Sequence, residues 1–173
     1  SIVGGNGNDV LVGDTGGSTI TTTIANYVLV LDSSFSMTAT MSFGGSTITR
    51  MQALKNSVNN MIDTLANSGA KDIRINMVDF DTTATSMGTF NLVVNGVIQT
   101  AAVTAAHNAV NAMAESGSTN YEAGLQQVID YIAPGGDVPL AGATVNQVIF
   151  ISDGVPNRVL TGNSTVYSNN ASA

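Results

Sequence analysis

Tyr27-Val28-Leu29-Val30-Leu31-Asp32-Ser33-Ser34-Phe35-Ser36 is the stretch on which the fold turns. Its first five residues are an unbroken apolar run. A strand half-exposed to water alternates, so this run predicts a strand buried on both faces. It stops at an aspartate followed by hydroxyls. A second run, Val148-Ile149-Phe150-Ile151, also predicts a buried strand and stops at Ser152-Asp153-Gly154.

Between these strands the periodicity changes. Met51, Leu54, Val58, Met61, Ile62 and Leu65 share one face of a helix, which Gly69 ends. Ile73 to Phe80 reads as another strand. Phe90 to Gln99 holds Asn95-Gly96 between apolar pairs, a strong hairpin signal. Ala101 to Ala114 is predicted helical, with Val103, Ala106, Val110 and Met113 facing in. Tyr121 to Ile132 is a further helix, with Leu125, Val128, Ile129 and Ile132 assigned to the core, and Pro134-Gly135-Gly136 breaks it. Past Leu160 the chain turns polar and is read as unstructured. Strands alternating with helices predict an α/β fold, with a doubly wound, mostly parallel sheet flanked by helices in a Rossmann-like arrangement. We place that domain at residues 21–160, after an N-terminal segment (1–20) and before a polar tail (161–173).

The chain has 173 residues, of which 43% are apolar, enough for one domain with a sizeable core. Only 10% are charged, so Ser, Thr, Asn and Gly must supply the polar surface. Five basic against twelve acidic residues give a net charge of -7. That balance excludes a nucleic-acid partner, which needs clustered cations, and does not suit docking on anionic lipid. Cysteine is absent, which rules out disulfides, thiolate metal sites and a cysteine nucleophile. No apolar run approaches the roughly 20 residues of a membrane-spanning helix. The start, Ser1-Ile2-Val3, has neither the basic nor the apolar stretch of a signal peptide, and reads as the interior of a longer protein.

The first twenty residues are of another kind. Gly4-Gly5-Asn6-Gly7-Asn8-Asp9-Val10-Leu11-Val12 matches G-G-x-G-x-D-x-U-x at every fixed position. Glycines permit the tight turn and an aspartate supplies a hard oxygen ligand. The segment resembles the calcium-binding nonapeptide of RTX (repeats-in-toxin) proteins, which implies Ca²⁺ held through Gly5, Gly7 and Asp9. A single repeat cannot complete a site that lies between stacked turns, so the segment is read as the end of a repeat block.

In open parallel sheets, ligands bind beyond the carboxyl ends of the strands, where strand order reverses. Three loops are therefore candidates: Asp32 to Ser36, Gly117-Ser118-Thr119-Asn120, and Ser152 to Gly154. All are rich in oxygen, and none carries a basic residue. Hydroxyls and carboxylates without His or Cys favour Mg²⁺, Mn²⁺ or Ca²⁺ over Zn²⁺. Asp32-x-Ser34-x-Ser36, Thr119 in its turn and Asp153-Gly154, in that order, resemble the metal-ion-dependent adhesion site of the von Willebrand factor type A domain. The likeness covers about residues 25 to 158. It implies that Ser34, Ser36 and Thr119 bind the metal, that Asp32 and Asp153 ligate it directly or through water, and that a carboxylate from a protein or cell-surface ligand completes the octahedron. Phe35 stands where many members have glycine, at a free position of the motif, and is a candidate ligand contact. Members usually continue beyond this point with further strands and helices, so the domain is expected to be truncated on its C-terminal side.

Together these features describe a divalent-cation-dependent adhesion module of a large secreted RTX adhesin on a bacterial cell surface, of the kind exported by type I secretion and found in biofilms. It is not expected to be an enzyme. A calcium-stabilised spacer without its own ligand is the alternative. Asp79-Phe80-Asp81-Thr82-Thr83 resembles the nucleophile motif of haloacid-dehalogenase-type phosphatases, but those need a later lysine, and Lys55 and Lys71 both precede it. Two aspartates at a strand end and its turn explain the motif as well. His107, the one histidine, is assigned to a polar helix face without a nucleophile partner.

Overall fold

The computed structural model describes residues 22–133, 140–161 and 164–167. The nonapeptide, with Gly5, Gly7 and Asp9, lies outside them, as does the Pro134-Gly135-Gly136 break. A five-stranded sheet has the order β6-β5-β4-β1-β7. Its centre is parallel: β1 (Ile24–Asp32) pairs with β4 (Asp72–Phe80) on one side and β7 (Val145–Ile151) on the other. The antiparallel β5 (Ala84–Val94) and β6 (Val97–Ile98) complete the β4 side. Asn95 and Gly96, both at positive φ, make the two-residue turn between them, as the Asn-Gly pair predicts. A small hairpin, β2 (Thr40–Phe43) and β3 (Ser46–Thr49), precedes the first helix.

β1 lies between β4 and β7, and its side chains alternate between two cores. Leu29 and Leu31 join Ile73, Ile75 and Met77 under α1 (Arg50–Ala66) and α2 (Thr100–Ala112). Val28 and Val30 join Val78 and Phe80 under α3 (Tyr121–Ile132). The sheet is thus mixed, mostly parallel at its centre, with helices on both faces. The α1 crossover leads from β1 to β4, and the connection through α3 leads to β7 on the opposite side of β1. Right-handed crossovers running in opposite directions put their helices on opposite faces. Strand order therefore reverses at β1, and a crevice opens beyond the ends of β1, β4 and β7.

Three features differ from the sequence expectation. On α3, Ala123, Gly124, Val128 and Tyr131 face the sheet, while Leu125, Ile129 and Ile132 are about half exposed. Close approach decides this: a Cβ at Gly124 would meet Val30 Cγ1 at 3.0 Å and the Phe80 ring at 3.2 Å. β7 is an edge strand, with Val148 exposed. And past Leu160 the described residues are not irregular, since β8 (Arg158–Thr161) pairs antiparallel with β9 (Ser164–Tyr167). Among the described residues, no helix is long and apolar enough to cross a membrane.

Small residues under α3 make a specific demand. Gly124→Leu should lower stability by about 1–3 kcal/mol through overpacking against Val30 and Phe80. Leu125→Ala, on the outer face, should cost less than about 1 kcal/mol. Equal losses in thermal melts of the two variants would mean that the helix is rotated from this orientation.

Candidate functional site

Register places the site. β1 and β7 pair Leu31 with Ile151, so the next residues, Asp32 and Ser152, leave the sheet side by side. Asp32 is fully buried. Its Oδ1 accepts the Ser34 backbone N–H at 2.7 Å, and its Oδ2 accepts the Ser152 hydroxyl at 2.5 Å. A single 3-10 turn, Phe35–Thr38, then returns the chain toward β2.

Ser36 Oγ donates to Asp153 Oδ1 at 2.7 Å and lies 3.0 Å from Ser34 Oγ. Each hydroxyl has one proton, so Ser34 is the donor between the two serines, and the chain runs from Ser34 through Ser36 to Asp153. The other Asp153 oxygen, Oδ2, accepts Arg50 Nη1 at 2.6 Å. The Tyr121 hydroxyl lies 3.0 Å from Ser152 Oγ and against the Gly154 carbonyl, which fixes the β7 loop to the start of α3.

Thr119 arrives by its backbone. Its N–H donates to Asn157 Oδ1 at 2.9 Å, and its carbonyl accepts the Asn157 N–H at 3.0 Å. The next residue, Asn120, caps α3 through the Ala123 N–H and also binds the Asp81 and Thr82 carbonyls. The Gly117 carbonyl accepts the Phe35 N–H at 3.3 Å. Gly117 sits at φ +61° against the β4–β5 turn, and a Cβ there would come within 2.6 Å of Thr82 Oγ1, so this turn needs its glycine. Ser34, Ser36 and Asp153 are thus joined by side-chain hydrogen bonds, Asp32 joins them through the Ser34 backbone N–H, and Thr119 is tied to the same loops. Phe35 is 67% exposed at the rim.

A family model for the von Willebrand factor type A domain matches residues 27–155. The chain belongs to that family. Solved structures share the fold. The vWF domain of the type V pili tip protein Mfa5 from Porphyromonas gingivalis aligns with a TM-score of 0.58 and 17% identity, over 80% of this chain and 40% of that one. The PilB minor pilin from Streptococcus sanguinis gives 0.59 and 20%, over 93% and 39%. The pilus adhesin SpaC from Lactobacillus rhamnosus GG gives 0.57 and 20%, over 85% and 18%. The chain thus spans less than half the length of each. No curated protein matches it.

In this von Willebrand A domain, the donor set suits a small hard cation. Among the described residues, no group of three or more His, Asp or Glu gathers at one point. A cation here would be held by two carboxylates together with neutral hydroxyls, all oxygen. The sequence reading placed Ser152 in a candidate loop without giving it a role, and it missed Arg50 altogether. The three loops indeed lack a basic residue, but the first residue of α1 reaches in from outside them.

The Asp79-to-Thr83 segment also resolves. Asp81 caps its turn, accepting the Thr83 N–H at 2.9 Å and the Ser116 hydroxyl at 2.6 Å. Lys55 binds the carbonyls of Asn111 and Met113. His107 Nε2 lies 2.9 Å from Asp63 Oδ1, bridging α2 to α1. Asp79 faces a polar pocket of about 100 Å³ shared with Ser33, Asp81, Thr83, Thr85 and Ser116. Its Oδ1 is buried and has no hydrogen-bond partner among the described residues. Burial raises its pKa above the ordinary 3.8, and the nearby Asp81 and Asp32 add to the rise, against a lowering hydrogen bond from Ser33.

For an acid with a raised folded-state pKa, the folded chain keeps a proton that the unfolded chain has released. The Asp79 contribution therefore falls as pH rises from 3.8 through the raised value, and stays unfavourable above it. Asp79→Asn should raise the melting temperature at pH 7 and bring the two proteins together near pH 4. A variant less stable than the parent at pH 7 would show that the charged form is favoured here.

Proposed function

We propose that this domain is a divalent-cation-dependent adhesion module. The observation that carries the reading is the convergence of Asp32, Ser34, Ser36 and Asp153 in one hydrogen-bonded cluster beyond the parallel strand ends, with Thr119 on an adjoining loop. Those five residues would hold the metal, and Mg²⁺ is the first candidate, with Mn²⁺ and Ca²⁺ behind it. When bound, the ion offers an open Lewis-acidic position to a carboxylate on a protein or cell-surface partner. The chain's own residues preorganise the site: Ser152 and the Ser34 N–H orient Asp32, and Ser36 orients Asp153. Phe35 at the rim is placed to touch the partner.

The similar structures include a pilus tip protein, a minor pilin and a pilus adhesin, which supports an adhesive role at a cell surface. The Gly4–Val12 nonapeptide and the acidic, cysteine-free composition support export as part of a larger RTX-type adhesin, with Ca²⁺ at the repeat. One observation favours a second reading, a rigid spacer. Asp32 is satisfied entirely by the chain's own donors, so the cluster already knits β1 to β7.

Calorimetric titration of Mg²⁺ or Mn²⁺ into the full chain should show one saturable site. The Asp32→Asn, Ser34→Ala double variant should lose affinity by more than about 100-fold, since even outer-shell partners are worth about 10–100-fold. Equal heats from both proteins, with circular dichroism showing both folded, would remove the metal site. Binding that raises the melting temperature of a protein unable to adhere to cells or matrix would favour the spacer.

A further inference from the structure

We propose that Arg50 is an internal counter-cation of the adhesion site, which a divalent ion must displace from Asp153 and which thereby sets how tightly the ion is held. The inference rests on the metal-binding reading above. Arg50 is the first residue of α1, where N–H groups lack partners within the helix and the helix carries a partial positive charge. That position favours acidic side chains, so local structure does not explain an arginine there. Asp153 does: Arg50 Nη1 lies 2.6 Å from its Oδ2, and the pair links α1 to the loop after β7, 103 residues away in sequence.

The two partners differ in their access to water. The Asp153 side chain is 8% exposed, whereas that of Arg50 is 38% exposed. Burial makes the carboxylate costly to leave without a cation. The guanidinium can move outward to solvent at small cost, along the mouth of a groove of about 380 Å³ lined by Met37, Met41, Ala53, Leu54 and Ile151. The Arg50 N–H stays bonded to the Ala39 carbonyl at 2.8 Å, so the side chain can swing while the helix start stays fixed.

Charge then decides the outcome. Asp32 and Asp153 together carry the two negative charges that match one divalent ion. While Arg50 holds Asp153, the site offers only one of them without a counter-charge, and an arriving dication meets a like charge one carboxylate away. Exchange of Arg50 for the metal restores the match.

The test is isothermal calorimetry of Mg²⁺, repeated with Mn²⁺, on the full chain and on Arg50→Gln and Arg50→Lys, with thermal melts to confirm folding. Arg50→Gln should bind at least about tenfold more tightly, since a unit charge about 4 Å away is worth roughly fivefold in bulk water and roughly a thousandfold near a protein surface. Arg50→Lys, which keeps the charge, should stay within about threefold of the parent. Unchanged or weaker binding by Arg50→Gln, in a series where the parent binds, would overturn the role of Arg50 and leave the metal site standing. No binding by any of the three would overturn the metal reading and this inference with it. In NMR spectra, the Arg50 side-chain signals should lose their Asp153-bound shifts as Mg²⁺ is added; signals unmoved at saturation would likewise overturn the exchange.

Discussion

A carboxylate with no access to water sits at the end of the central strand, and much of the molecule is arranged to make that tolerable. Burying an unpartnered carboxylate costs several kcal/mol. Asp32 avoids this because both oxygens have donors, the Ser34 N–H from its own loop and the Ser152 hydroxyl from the neighbouring strand. The second donor exists only if β7 pairs with β1 in the observed register. A slip of one residue would exchange Ser152 for Ile151 or Asp153 and leave Oδ2 without its partner. The buried acid therefore specifies strand pairing at the open edge of the sheet, where packing alone specifies little.

The same constraint spreads through the loops. Ser152 is held by Tyr121 at the start of α3, and Tyr121 packs edge-on against Phe80 and Phe150 in the core beneath. Asn120, buried and capping that helix, binds the β4–β5 turn. The Thr119 backbone clasps Asn157 on the far side of Asp153. The site is thus a set of loops from three strand ends, each held by the others and by the aromatic cluster below. Hydroxyls and backbone groups do most of this holding, and they can orient a carboxylate without neutralising it.

Most of this plan was legible in the sequence because its signals are local. The Tyr27–Leu31 run, the helical spacing from Met51 to Leu65 and the Asn95-Gly96 turn each encode their element within a few residues. So does the order of Asp32-x-Ser34-x-Ser36, Thr119 and Asp153, which points to the family. What escaped was decided at a distance. α3 carries two apolar stripes, and periodicity cannot choose between them. Gly124 chose, by allowing the helix close to Val30 and Phe80, so Leu125, Ile129 and Ile132 turned outward. The Val148–Ile151 run looked like a strand covered on both sides, yet strand order put it at an edge. Arg50 lies just before the first residue of the helical pattern, and its partner is more than a hundred residues away.

The three strand ends treat their acids in three ways, and the contrast bears on what the crevice is for. Asp32 is buried and bonded on both oxygens. Asp153 is nearly buried and paired to the partly exposed Arg50. Asp79, one strand over, keeps a buried oxygen with no partner among the described residues and has its pKa raised by desolvation and by its acidic neighbours. A chain with only 10% charged residues has concentrated carboxylates at one end of its sheet. Carboxylates gathered in a crevice make the potential there more negative and draw cations. Stability alone would disfavour such a gathering, since apolar or amide side chains could close the same loops without repulsion. On the proposed reading, Arg50 halves the negative charge of the ion-free site, and a divalent ion cancels it when bound. What also changes between the two states is whether the balancing cation has an open face to offer a partner.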